Sequence, residues 1–101
     1  MRNIIGIKNL LENKLSLPKT GWIFTDNNVD SENPDILKIA VFYIPENEDD
    51  EFDGEDTLST LVETPIFLAI CANREKNLES PTDQQYIEAL IHYLKYDDFI
   101  E

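Results

Sequence analysis

The first apolar residues of the chain recur at helical spacing, with charged residues between them: Ile4, Ile7, Leu10, Leu11 and Leu15. This pattern predicts an amphipathic helix of about three turns that starts at Asn3 as the N-cap and reaches Ser16. Pro18 and Gly21 follow, and both residue types interrupt regular structure. We therefore expect the first element to be a helix that buries one face.

Three segments have the composition of β-strands. Residues 22–25 and 36–44 are rich in β-branched and aromatic side chains, and Pro45 ends the second of them. Residues 64–72 form a nearly continuous apolar run, which predicts a strand buried on both faces. Residues 57–63 are ambiguous, since Leu58, Leu61 and Val62 also suit one face of a short helix.

The intervening segments are polar. We expect loops or turns at residues 26–28, 30–35 and 73–79, and an exposed loop at residues 46–56. A last helix is predicted from a Ser80 cap, with Pro81 at its first position and an acid in its first turn. It should end near Tyr96, and its apolar stripe is Tyr86, Ile87, Leu90, Ile91 and Leu94.

The order of elements indicates an α+β fold. Helix, strand, strand, a possible short helix, strand and helix would give a three- to four-stranded sheet packed by an N-terminal and a C-terminal helix. No internal repeat or linker divides the sequence, so residues 1–101 should form a single domain, and we expect a monomer.

The charge balance narrows the class of partner. Eight basic and 21 acidic residues give a formal net charge of −13. Nucleic acid and anionic membranes would repel such a chain, because binding either requires Lys and Arg. A negative field attracts basic surfaces and accelerates encounter with them. We therefore expect a basic protein partner, although acidity can also serve solubility alone.

The acidic charge is concentrated in one segment, and a shorter pair follows the last helix. The candidate contact residues for a basic partner are Glu46, Glu48, Asp49, Asp50, Glu51, Asp53, Glu55 and Asp56, with Asp97 and Asp98 as helpers. Such a segment could imitate a phosphate backbone and occupy the cleft of a nuclease, or it could be a solvated loop without a partner.

We expect no metal site and no cofactor. Residues 49–54 resemble the start of a calcium-binding EF-hand loop, but the twelfth position is Thr60, where a bidentate Glu is needed. The three glycines form no phosphate-binding motif. The sequence therefore predicts neither metal nor cofactor binding.

Catalysis is not expected either. His92 is the single histidine, and Cys71 is the single cysteine within an apolar segment, where a thiol is inert. One cysteine cannot form an internal disulfide, and no signal peptide or membrane span is recognisable. We expect a cytoplasmic protein without enzymatic activity.

The sequence resembles a family of small acidic bacterial domains of unknown function. The similarity lies in Leu17-Pro18, in Trp22-Ile23-Phe24, in the acid-rich middle, and in the ending from Tyr93 to Ile100. Members of such families resemble immunity proteins of bacterial toxin systems, including contact-dependent growth inhibition. The resemblance implies a cytoplasmic inhibitor that binds a cognate toxin domain and occludes its active site, and the acidic charge favours a basic nuclease as that toxin. An acidic adaptor, or a nucleic-acid mimic that binds another basic protein, is the alternative.

Overall fold

A computed structural model describes residues 1–100 of the chain. Within them lie four β-strands, five α-helices and one 3-10 turn at Lys14–Ser16. The strands are β1 (Arg2–Ile5), β2 (Trp22–Thr25), β3 (Val41–Ile44) and β4 (Ser59–Glu63). The helices are α1 (Ile7–Glu12), α2 (Pro34–Ile39), α3 (Glu48–Thr57), α4 (Thr64–Asn77) and α5 (Asp83–Tyr96).

The four strands form one antiparallel sheet in the order β1-β3-β2-β4. Ile4 pairs with Phe42, and Thr25 also lies opposite Phe42. The pairing of β2 with β4 shifts register between Ile23 and Phe24. This architecture confirms the predicted α+β class and its three- to four-stranded sheet.

The two faces of the sheet are covered by different helices. On one face, Ile4, Ile23 and Phe42 belong to a core completed by α1, α2, α4 and α5. Because side chains alternate along a strand, Phe24 projects from the opposite face. There it is fully buried against Gly54 of α3, where an added Cβ would lie 2.6 Å from the Phe24 ring. The acidic segment is therefore a packed layer of the fold.

The N-terminal helix predicted from Asn3 was placed too early. Residues Arg2–Ile5 form β1, and the helix begins only at Ile7. Gly6 makes the change of direction possible, since its φ of +85° favours glycine, and its N–H donates to the Ala40 carbonyl at 2.7 Å. A strand and a helix that bury side chains in the same core produced one apparent helical stripe.

Residues 36–44, which were predicted as one strand, are divided between a helix and a strand. Pro34–Ile39 forms α2, and only Val41–Ile44 is a strand. Asn33 caps α2 by accepting a hydrogen bond from the Asp35 N–H at 3.0 Å, and Pro34 occupies the first turn. These two residues are a helix-start signal that the loop assignment of residues 30–35 overlooked.

The predicted buried strand at residues 64–72 is wrong. This run lies in α4, which continues to Asn77 and replaces most of the turn expected at residues 73–79. An unbroken apolar run does not distinguish a buried strand from a buried helix, because both faces are apolar. The fourth strand is β4, in the segment that the sequence left ambiguous.

The last helix is confirmed. It spans Asp83–Tyr96, and its cap is Thr82, two residues after the predicted Ser80. Thr82 and Gln85 form a reciprocal capping box, which satisfies two free amide groups at the helix start. Across residues 1–100, no helix has both the length and the apolar character needed to cross a bilayer.

Candidate functional site

The acidic segment predicted as a loop at residues 46–56 is the helix α3, and local chemistry explains the difference. Asn47 caps it by accepting a hydrogen bond from the Asp50 N–H at 2.9 Å. All four residues of the first turn are acidic: Glu48, Asp49, Asp50 and Glu51. Negative charge at a helix N-terminus is favourable because unpaired N–H groups point toward it. This attraction offsets the mutual repulsion that predicted an extended segment.

Two of the predicted contact acids face inward. The Asp50 carboxylate accepts a hydrogen bond from the Glu46 N–H at 2.9 Å and lies 3.1 Å from the Met1 amino group. These contacts hold the pKa of Asp50 below its usual value. The Glu51 carboxylate accepts a hydrogen bond from the Trp22 N–H at 3.2 Å. Asp50 therefore joins α3 to the N-terminal residue and to the turn before the helix, and Glu51 joins it to β2.

The other acids of α3 point to solvent, together with one aromatic ring. Asp49, Phe52, Asp53 and Asp56 follow the i, i+3, i+4, i+7 spacing of one helical face. All four are exposed, and Phe52 keeps 68% of its surface accessible. We call these four residues the outer face of α3. The predicted contacts Glu48 and Glu55 flank it, and Glu46 lies in the turn before the helix.

Phe52 was absent from the predicted contact residues. Its importance follows only once residues 48–57 are known to be helical, because the helix places the ring among the acids. A signal was present in the sequence, since Phe52 is the single large apolar residue between Pro45 and Leu58.

Asp97 and Asp98 lie at a different place, at the end of α5. Asp97 adopts a left-handed backbone conformation with φ of +52°, and its N–H donates to the Tyr93 carbonyl at 2.8 Å. The Asp98 carboxylate accepts a hydrogen bond from the Phe99 N–H at 2.8 Å. Both side chains are exposed. The structure thus divides the predicted contact residues between two regions.

Asp97 borders a half-open cleft of about 250 Å³. The cleft is formed by β2, β4 and the facing parts of α4 and α5, and its walls are Trp22, Leu61, Val62, Glu63, Ile66, Tyr93, Leu94 and Asp97. None of these residues belongs to α3. We call it the Trp22 cleft. Neither Trp22 nor Tyr93 was among the predicted contact residues, and both are only partly buried and line this cleft.

Groups with nucleophilic or basic potential are dispersed or inert. Cys71 is buried in α4, and burial raises the pKa of its thiol to about 12. His92 is half-buried beside Tyr96, with ring centroids 4.8 Å apart. Among residues 1–100, no three His, Cys, Asp or Glu side chains converge to hold a metal ion. The residues that resembled an EF-hand loop lie in a continuous helix, which turns them toward different sides.

A small polar cluster links the 3-10 turn with α4 and α5. The Glu75 carboxylate accepts a hydrogen bond from the Tyr86 hydroxyl at 2.8 Å and lies 3.0 Å from the Lys14 amino group. Partial burial opposes ionisation of Glu75, but these two donors lower its pKa overall. Burial and the Glu75 carboxylate raise the pKa of Tyr86. The cluster joins secondary structure elements and has no group poised to react.

Comparison with known proteins adds no assignment. No family model, curated protein or solved structure matches this chain. The geometry of α3 and of the Trp22 cleft is therefore the basis for assigning a function.

Proposed function

We propose that this protein is an immunity protein, which binds a cognate bacterial toxin domain through the outer face of α3 and occludes its active site. The toxin domain would be a basic nuclease. The observation that carries the proposal is the exposed Phe52 ring within a row of outward-facing carboxylates on a capped helix. Aromatic anchors surrounded by polar residues are typical centres of protein interfaces.

The attachment of α3 supports this role. Gly54 packs on Phe24, and the Glu51 carboxylate accepts a hydrogen bond from the Trp22 backbone. A helix fixed in this way loses little conformational freedom on binding, which favours affinity. Its ten residues extend over about 15 Å, enough to cover a substrate cleft.

The charge of the outer face supports a basic target. Asp49, Asp53 and Asp56 present carboxylates in a row, much as phosphates line one edge of a nucleic acid. A nuclease that binds phosphates with Lys and Arg would also attract such a row. The net charge of −13 adds long-range attraction, which accelerates encounter.

The first test is binding to the C-terminal domain of the protein encoded immediately upstream, at low and moderate salt. We expect nanomolar or tighter binding that weakens with salt and abolishes a toxic activity. Binding without loss of toxicity would favour the adaptor alternative. Absence of binding would contradict the immunity role.

Three charge-neutralising substitutions locate the interface. The variant D49N/D53N/D56N should associate about tenfold more slowly and show a weaker salt dependence. The matched control is E12Q/E32Q/E79Q, because these acids are also exposed but lie outside α3, and it removes the same charge. Equal effects of the two triple variants would contradict a specific role of α3.

Truncation of Phe52 gives a second readout of the interface, the dissociation rate. We expect F52A to accelerate dissociation and to weaken binding by about tenfold or more, as truncation of a central aromatic residue does. Its association rate should change little, because no charge is lost. An unchanged dissociation rate would place Phe52 outside the interface.

A further inference from the structure

We propose that the Trp22 cleft is a binding site for an arginine side chain presented by the basic partner. The identity of that partner rests on the proposed function, whereas the guanidinium site itself does not. The cleft lies outside α3, so it would supply a second, independent point of recognition.

The walls of the cleft suit a flat, partly apolar cation. Leu61, Ile66 and Leu94 are aliphatic residues of the lining, and Trp22 and Tyr93 are its aromatic residues. The three methylene groups of an arginine side chain pack well on aliphatic surface, and its guanidinium is attracted to aromatic faces, most strongly to Trp. This combination favours arginine over a hydrated inorganic cation.

Two carboxylates give the cleft its charge. Glu63 lies directly opposite Trp22 in the β2–β4 pairing, so the two side chains are close neighbours. Asp97 borders the cleft from the end of α5. Within residues 1–100, neither carboxylate takes part in a hydrogen bond or an ion pair of its side chain. Both are therefore available to a cation that enters the cleft.

The position of Asp97 is not explained by the stability of α5. The C-terminal end of a helix carries partial negative charge, so an acid there is unfavourable. The left-handed conformation of Asp97 is also one that glycine adopts with less strain. A carboxylate at this point is accounted for if it faces a cationic ligand.

Arginine fits this arrangement better than lysine does. A guanidinium is planar, stacks on aromatic rings and donates hydrogen bonds in two directions, whereas an ammonium is a compact and strongly hydrated charge. Two carboxylates in a cleft that also contains aromatic residues match the forked donors of arginine.

The cleft is also held in place. The Trp22 backbone N–H donates to the Glu51 carboxylate, and the Tyr93 ring packs on Phe99 with centroids 5.5 Å apart. The Glu51 contact joins the cleft to the inner side of α3, and the whole molecule measures 38 × 25 × 23 Å. A single protein partner is large enough to reach both places, because a typical interface covers about 800 Å² on each side.

The experiment uses the intact protein and N-acetyl-arginine amide as the probe. Trp22 is the single tryptophan, so its fluorescence reports on the cleft directly. We expect saturable quenching by the arginine probe, and no saturation with the neutral isostere N-acetyl-citrulline amide. In an amide-correlation NMR spectrum, the largest shifts should fall on Trp22, Glu63, Tyr93 and Asp97.

A double variant and its control complete the test. E63Q/D97N should weaken binding of the probe by about fivefold, given the usual strength of exposed charge pairs. E12Q/E79Q removes the same charge elsewhere and should leave the affinity within about twofold. Equal binding of citrulline, equal effects of the two variants, or shifts centred on residues 48–57 would overturn the proposal.

These outcomes are separable from those of the proposed function. Saturable arginine binding without toxin binding would retain the cleft and reject the immunity role. Tight toxin binding that E63Q/D97N leaves unchanged would retain the immunity role and remove the cleft from the interface.

Discussion

The two acidic regions of this molecule have opposite relations to the helices that carry them. In α3 the acids occupy the first turn, where the helix N-terminus attracts negative charge, and Asp50 and Glu51 also make structural hydrogen bonds. At the end of α5, Asp97 and Asp98 lie where the helix repels negative charge. Similar residues thus stabilise one helix and destabilise the other.

This contrast indicates which acidic residues need a functional explanation. Four acids in the first turn of α3 have a structural reason to be there, so the proposed interface rests most directly on Phe52, Asp53 and Asp56 of the outer face. Asp97 has no such reason, and it borders the Trp22 cleft together with Glu63. Density of charge along the sequence is therefore a weaker guide than the position of each charge on its helix.

The largest expected effect concerns the attachment of α3. F24A should lower the free energy of unfolding by about 3–5 kcal/mol, because it removes a fully buried ring between the sheet and Gly54. The matched control is F52A, which truncates an exposed ring and should change stability by less than about 0.5 kcal/mol. Urea unfolding measures both. A large loss in F52A would show that the outer face of α3 is not free.

A smaller effect is expected at the start of α3. N47A should cost about 1 kcal/mol, because the Asp50 N–H loses its acceptor. N47D should retain most of the stability, since Asp caps helices as well as Asn does. Thermal unfolding combined with hydrogen exchange of the α3 amides separates a local from a global loss. Equal stability of N47A and the wild type would mean that the acids suffice without the cap.

Two double variants test the contrast itself. E48Q/D49N and D97N/D98N each take the net charge from −13 to −11, so both relieve general repulsion to a similar degree. We expect D97N/D98N to be the more stable by about 1 kcal/mol at low ionic strength, because only E48Q/D49N removes favourable charge from a helix end. The difference should shrink with added salt. Equal stabilities would contradict the electrostatic contrast between the two regions.

The smallest expected effect appears in acid. The folded state lowers the pKa of Asp50 from its usual value of 3.8, so the ionised form contributes stability above that pH. This contribution is lost as the pH falls through the lower folded-state value. D50N should therefore be less stable at neutral pH, and its stability should fall less steeply below about pH 4. Thermal unfolding between pH 7 and pH 2 measures both curves, and parallel curves would contradict the role of Asp50.

Local signals in the sequence located some elements well. The strand at Trp22–Thr25 follows a glycine and precedes a polar turn, and the last helix has a cap, an acidic first turn and a clear apolar stripe. Both were predicted because flanking residues limited their extent. The α+β class followed from these elements and the strand before Pro45.

Other elements depended on contacts that no local pattern reveals. Ile4 lies in a strand because β3 pairs with it, although its spacing to Ile7 and Leu10 is helical. Residues 64–72 are helical because α4 packs on α5 and the sheet, whereas a continuous apolar run suits either structure. The residues of the candidate site also depended on such contacts. The inward orientation of Asp50 and Glu51 is visible only in the folded chain.

Composition and local pattern are enough to establish the net charge, the expectation of a basic partner, the α+β class and the concentration of acids in one segment. Which acids hold the fold and which face solvent depends on how the chain packs. That packing also brought Trp22, Glu63 and Asp97 together from three distant parts of the chain. The physical reason is that contacts between residues far apart in sequence decide these positions.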